Sequence, residues 1–262
     1  MGTDLVKMKS GQGRLTLPEW HARFTQQAGW TAEIRRHLFD QAGLKPGSQV
    51  LEVGCGTGAV MSALGNEFDY HLTGVDIDRP SLRFNQAEHS GLQATQADGH
   101  SLPFADDAFD ATYCHYLLLW AADPARVLAE MHRVTHPGGV VIALAEPDYT
   151  GRMDFPPPLD ELGRLQTEAL AQQGADVEIG RKVERLFKNA GLVNVFCGQL
   201  AARADQPEAM DPLEKAVLKF DLAGTLTPAE VDHYLKIDET ARSQNRRKMS
   251  IPTFHAIGWV SP

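Results

Sequence analysis

The sequence predicts an α/β protein built on an open, largely parallel sheet with helices on both faces. Three observations carry that prediction. Val50-Leu51-Glu52-Val53 is a short apolar run that passes straight into Gly54-Cys55-Gly56-Thr57-Gly58, after which Ala59 to Leu64 continues with helical character. Short apolar runs then alternate with helix-length stretches, as in strand–helix–strand units. Finally, the return strand Tyr70 to Asp78 ends in acid, at the edge where open sheets gather their ligand-facing groups.

The elements follow in order. Residues 1 to about 17 read as loosely attached. From Pro18 to Gly43 the spacing of Trp20, Phe24, Ile34, Leu38 and Phe39 predicts two helices, the second starting near Thr31 and ending at Gly43. Pro46-Gly47 turns the chain into the first strand, Val50 to Val53. A helix from Ser81 to about Ser90 leads to a third strand, Gln93 to Ala97, and Asp78 before Arg79-Pro80 suits a helix cap. Asp106, Asp107 and Asp110 are expected to face solvent around the fourth strand, whose buried run ends at Cys114. Leu117 to Trp120 is apolar and lines either core or pocket. A helix from Pro124 precedes the turn His136-Pro137-Gly138-Gly139 and the fifth strand, Gly139 to Ala145. Beyond it lie a first helical insertion at about 150–178, a helix from Ile179, a sixth strand from Leu192 to Gln199, a second helical insertion at about 206–248, and a last strand from Thr253 to Val260. Long insertions near strand ends form lids.

Composition narrows the function. A chain of 262 residues can bury a full core. Its net charge of −9 argues against a nucleic-acid partner, which needs a basic field. Arg246-Arg247-Lys248 is read as a solvated helix end. Cys55, Cys114 and Cys197 are too scattered for a disulfide framework or a zinc site. His132 and His136 are four apart, but the turn at Pro137-Gly138 keeps them off one helical face, so no metal is expected. No apolar signal core or membrane-spanning stretch is present, which suits a cytoplasmic protein.

The glycine-rich turn carries the chemistry. Glycine reaches positive φ and has no Cβ, so a ligand can lie against the backbone, and the following helix aims free N–H groups at the same spot. Gly54-x-Gly56-x-x-Ala59 also satisfies the dinucleotide fingerprint. Glu52 separates the two readings, because an acid there would repel a pyrophosphate and attract a sulfonium or amino group. Asp76, 22 residues after Gly54, stands where a carboxylate accepts from both ribose hydroxyls, with Ile77 packing on the adenine face. Glu146, Asp148 and Tyr149 end the fifth strand and are candidates for contact with a substrate.

Glu52-x-Gly54-x-Gly56-x-Gly58 resembles motif I of the class I S-adenosylmethionine-dependent methyltransferases. Ala97-Asp98 followed by Leu102-Pro103-Phe104 resembles their small-molecule branch, which includes the quinone-biosynthesis enzymes. The resemblance covers about residues 46–148 by motif and 180–262 by element order. It implies a Rossmann-like seven-stranded sheet, six strands parallel and one antiparallel, with helical lid insertions. It also implies an N-terminal helical cap over residues 1–45, a methyltransferase domain over 46–262, and transfer of a methyl group to a small-molecule acceptor. Arg23, Glu52, Gly54, Cys55, Gly56, Gly58, Asp76, Ile77, Asp98, Gly99 and His115 would then surround S-adenosylmethionine, with Asp98 reading the adenine amino group and Arg23 the methionine carboxylate. Tyr116, Trp120 and Tyr149 would line the acceptor pocket, and His115 is a candidate base. No residue pattern marks a compulsory catalytic group, the methylated atom or an oligomeric state. Two rivals stand beside this reading. A non-catalytic S-adenosylmethionine-binding protein would share the motif. An NAD(P)-dependent oxidoreductase would need a Tyr-x-x-x-Lys or similar constellation, which the chain lacks.

Overall fold

The computed structural model describes residues 15–89, 91–200 and 209–262. The start of the chain, Ser90 and the opening of the second insertion lie outside the described residues. The strands are β1 (Gln49–Val53), β2 (His71–Asp76), β3 (Gln93–Gln96), β4 (Phe109–Cys114), β5 (Thr135–Pro147), β6 (Met153–Phe155), β7 (Val193–Gln199), β8 (Lys248–Ser250) and β9 (Thr253–Trp259). Seven of them form one sheet in the order β3-β2-β1-β4-β5-β9-β7. Only β9 runs against its neighbours β5 and β7, so six strands are parallel and one is antiparallel. The strand order reverses between β1 and β4, which opens a crevice at their carboxyl ends.

Helices α1 (Leu17–Trp30), α2 (Ala32–Ala42), α3 (Ala59–Glu67), α4 (Arg79–Glu88), α5 (Pro124–Val134), α6 (Leu159–Gln172), α7 (Ile179–Asn189), α8 (Pro212–Asp221) and α9 (Pro228–Ser243) complete the fold. Local chemistry explains their ends. Thr16 and Glu19 form a capping box on α1, Gly43 ends α2 at φ +67°, and Asp78 accepts from Ser81 N at 2.9 Å to start α4. Period-two alternation along β1 divides the core. Leu51 and Val53 pack with Val127, Leu128, Met131 and Phe187 on one face; Val50 packs with Leu38, Phe39, Val60, Leu64 and Tyr113 on the other. A third core, built from Leu159, Leu162, Leu218, Leu222, Val231 and Leu235, belongs to the lid.

Four expectations are corrected here. The segment His136-Pro137-Gly138-Gly139 lies inside β5, because Gly139 lets the strand pass within reach of Asp110 O, where a Cβ would come to 2.7 Å. Asp110 does not face solvent idly: its carboxylate accepts from Gln49 N at 2.7 Å and pairs with His136 Nε2 at 2.9 Å, stapling β4 to β1 and β5. The lid is not purely helical, since β6 and β8 pair antiparallel and join the two insertions. Arg247 is no solvated helix end. It is buried, donating to Asp238 and Asp154 at 2.5 Å each, and Arg152 and Arg242 bond the same two acids. Guanidinium groups brought in from residues 152, 242 and 247 thus share two buried carboxylates.

Candidate active site

The three glycines of the turn all have positive φ, +79° at Gly54, +49° at Gly56 and +80° at Gly58, but they serve different ends. A Cβ on Gly54 would strike Leu117 at 2.7 Å, and one on Gly58 would overlap the Asn85 amide. Those two positions are glycine for packing. At Gly56 a Cβ would meet only Asp76 Oδ2 at 3.9 Å and Phe24 at 4.0 Å. Gly56 alone presents bare backbone that a ligand can approach.

Asp76 is tied to this turn. Its Oδ2 accepts from Gly56 N at 2.7 Å and its Oδ1 from Asp78 N at 2.8 Å. Burial pushes its pKa upward, opposed by these backbone donors. Each oxygen keeps a lone pair for a ligand hydroxyl. Ile77 beside it is half-buried, its carbonyl accepting from Gln96. Beneath the turn, Glu52 is buried and accepts from the Tyr113 hydroxyl at 2.8 Å. Desolvation pushes its pKa up to about 8, with the charge of Asp76 adding to the shift. Cys55 is buried, and desolvation raises its thiol pKa far above the ordinary range, so it is no nucleophile.

Asp98 and Gly99 reach the same crevice from β3, through Ala97 N bonded to Asp76 O at 3.0 Å. Asp98 is exposed and held by His100, whose backbone N and Nδ1 lie 2.9 and 2.6 Å from Oδ1. Gly99 lies where a Cβ would crowd Val53 at 3.2 Å.

At the end of β4, His115 is packed between Thr31, 3.2 Å from its Nε2, and the Tyr116 ring. The Thr31 hydroxyl already donates to backbone carbonyls of α1, so the His115 Nε2–H donates to it. Desolvation, with Arg35 adding to it, pushes the His115 pKa down to about 3. A group that far below neutrality is a poor general base, and that role for His115 is withdrawn. Tyr116 follows with φ +52°, a conformation costly for a bulky side chain and one that redirects the chain over the crevice. Glu146 fixes this bend. Its carboxylate accepts from Leu117, Leu118 and Leu119 N at 3.0–3.2 Å, which seats Leu117 on Gly54 and leaves Trp120 half-buried. Glu146 and Asp148 are therefore not free for substrate: the first caps this turn, and the second is bonded to Arg181 at 2.6 Å and to Thr150 at 2.8 Å. Tyr149 remains half-buried beside Tyr116, with its pKa raised chiefly by burial.

The cap and the lid close over these groups. On α1, His21 Nδ1 lies 2.9 Å from the buried Thr57 hydroxyl of the glycine turn, and Phe24 faces Gly56. Trp20 stacks on Phe24 and meets Phe220 of α8 edge-on at 5.3 Å. Arg23 donates to Gln26 and lies over the Trp30 ring, within electrostatic reach of Tyr116, Tyr149 and Asp221. Asp221 went unmarked in the sequence, where it ends an ordinary amphipathic helix. So did Asn85, Thr57 and His21, which only the packing of α1 and α4 on the turn brings together. Among the described residues no group of three metal-ligating side chains exists, and no helix is long and apolar enough to cross a membrane.

Comparison with known proteins places this geometry. A family model described as a methyltransferase domain matches residues 51–143. The demethylmenaquinone methyltransferase of Lysinibacillus sphaericus is 28% identical over 66% of this chain and 80% of its own length. The malonyl-[acyl-carrier protein] O-methyltransferase of Erwinia billingiae is 33% identical over 45% of this chain, which spans only about half, 47%, of that relative. Among solved structures, the geranyl diphosphate C-methyltransferase of Streptomyces coelicolor, bound to S-adenosyl-L-homocysteine, shares the fold at TM-score 0.55 and 14% identity, over 87% of this chain and 79% of its own. Strand order, glycine turn and matches agree: the methyltransferase domain over residues 51–143 and the relatives support a class I S-adenosylmethionine-dependent methyltransferase of the small-molecule branch.

Proposed function

We propose that the protein transfers the methyl group of S-adenosylmethionine to a small-molecule acceptor by in-line displacement, in a chamber roofed by α1 and α8. The observation that carries this reading is the bare backbone at Gly56 with the Asp76 carboxylate beside it. In this reading Asp76 takes the ribose hydroxyls, Ile77 packs on the adenine, and Asp98 with Gly99 reads its edge once Asp98 exchanges His100 for the ligand. Gly54, Cys55, Gly56 and Gly58 supply the floor, Arg23 faces the methionine carboxylate, and His115 borders the group as a neutral ring whose one N–H is already given to Thr31. Glu52, which holds its proton in the free site, ionises beneath the bound cation and answers it through space. Tyr116, Trp120 and Tyr149 wall the acceptor side.

When bound, the sulfonium supplies an activated methyl carbon. The chain's own work is to hold the acceptor at near-attack distance, ~3 Å, and to keep water out, which the Trp20–Phe220 contact between cap and lid serves. We read residues 1–45 as the cap and 46–262 as the catalytic domain with its lid. The acidic charge and the lid-like insertions favour a small acceptor over nucleic acid, in a cytoplasmic setting. Gly56→Val tests the carrying observation: a folded variant should bind S-adenosylhomocysteine at least ~10-fold more weakly by calorimetry, since a side chain at φ +49° both strains the turn and fills the contact face. Unchanged affinity would move the cofactor off this turn.

A further inference from the structure

Asp221, at the end of α8, is a buried carboxylate whose surroundings do not account for it. The hydrogen bond that holds its Oδ2 comes from Gln166 Nε2 at 2.7 Å, a neutral amide. Gln166 is itself fixed by Arg152 Nη1, 2.5 Å from its Oε1, and Arg152 also grips Asp154. Asp221 is thus oriented by a rigid chain of side chains that stops one residue short of an ion pair. A carboxylate serving only to balance the lid's guanidinium groups would bond one of them directly, as Asp154 and Asp238 do.

The groups facing Asp221 come from three other parts of the chain: Arg23 on α1, Arg152 ahead of β6, and Tyr149 after β5. Its neighbour Phe220 meets Trp20 where the lid touches the cap. The carboxylate therefore sits where the lid meets the cap and the exit of β5, held from the lid side by Gln166. Burial leaves it only weakly acidic, with a pKa of about 6, in the range suited to receiving a proton near neutrality. Two arginines within electrostatic reach disfavour a cationic acceptor and favour a nucleophile that becomes anionic. Trp20 and Phe220, edge-on at 5.3 Å with Phe24 stacked on Trp20, supply flat apolar surface for a ring beside it.

We propose that Asp221 is the proton acceptor for a hydroxyl nucleophile carried on an aromatic ring. This rests on the methyl-transfer reading above. As the hydroxyl oxygen forms its bond to the methyl carbon, the C–S electron pair stays with sulfur and the O–H proton passes to the Asp221 carboxylate. The acid returns that proton to solvent when the lid opens. Gln166 is the positioning residue that keeps Oδ2 fixed.

Asp221→Asn preserves size and the amide contact, so the fold is retained. Calorimetry of S-adenosylhomocysteine comes first: wild type and variant should agree within ~2-fold, and absence of binding in both would count against the methyl-transfer reading, not against Asp221. S-adenosylhomocysteine release is then followed with a set of simple phenols and with thiophenol, largely ionised at neutral pH. The variant should lose ~10²–10⁴-fold on phenols, the usual worth of a general base, and keep thiophenol turnover within ~5-fold. Independently of turnover, phenol affinity for the S-adenosylhomocysteine complex should change across pH 6 in wild type and be flat in the variant. Gln166→Leu should show a partial loss on phenols alone. Equal losses on phenols and thiophenol, a pH-dependent phenol affinity that survives in the variant, or a cofactor-binding protein that neither binds nor methylates phenols would overturn the proposal.

Discussion

The glycine-turn half of the molecule and its lid both bury charge, but they handle it in opposite ways. Around the turn, Asp76 and Glu146 are satisfied by backbone N–H groups close by in the fold, and Glu52 by one tyrosine hydroxyl. Among the described residues no cation is bonded to them, and burial drives Glu52 to about 8 and Glu146 to about 7. In the lid, Asp154 and Asp238 are bonded to three guanidinium groups drawn from distant parts of the chain. Charge in the first region awaits a partner; charge in the second is already compensated. The turn is built to respond to a ligand, the lid to hold a shape.

Removing a lid acid should do the most damage. Asp238→Ala removes the buried carboxylate that Arg242 and Arg247 share and should cost ~3–5 kcal/mol in urea unfolding. Cofactor affinity of the remaining folded protein should hardly change. A small loss of stability would mean the lid charges are not a supporting network.

Next in size is a pH effect at the turn. The Glu52 pKa is raised from 4.5 to about 8, so the folded protein holds a proton that the unfolded chain releases. Its contribution is whole below pH 4.5 and is lost as pH climbs toward 8, roughly 3 kcal/mol of it by pH 7. Glu52→Gln should flatten that slope, raising the melting temperature at pH 8 and leaving it nearly unchanged at pH 4.5. In wild type a cationic ligand should pull the carboxyl back toward ionisation and release a proton, seen as a buffer-dependent enthalpy of binding. A variant with the wild-type slope would show that Glu52 titrates normally.

The smallest effect sits on the cap. Thr57→Val keeps shape but removes the hydroxyl that meets His21, for ~1 kcal/mol. Protease cleavage within α1 should speed up, with little change at sites in α6 or α9. Equal acceleration everywhere would mean α1 is not separately latched.

The same contrast decides what could be read in advance. The sheet was legible because its central strands are local apolar runs, such as Val50–Val53 before Gly54 and Val140–Ala145 before Glu146. The placement of Asp76 against the turn was legible through its spacing from Gly54. Glu146 was misread as a substrate contact because nothing local shows that three N–H groups from Leu117–Leu119 converge on it. Arg247 was misread for a similar reason: a basic run looks solvated until Asp154, about ninety residues earlier, is folded against it. Asp221 left no signal at all. Its meaning comes only from the meeting of α1, α6 and α8.

The central claim is that this turn binds S-adenosylmethionine through Asp76, and calorimetric titration of wild type and Asp76→Ala with S-adenosylmethionine, S-adenosylhomocysteine and NADH tests it most directly. Wild type should bind the first two and not the third, and the folded variant should lose ~1–3 kcal/mol on both through missing charge-assisted hydrogen bonds. Binding of NADH alone, or full affinity in the variant, would contradict it.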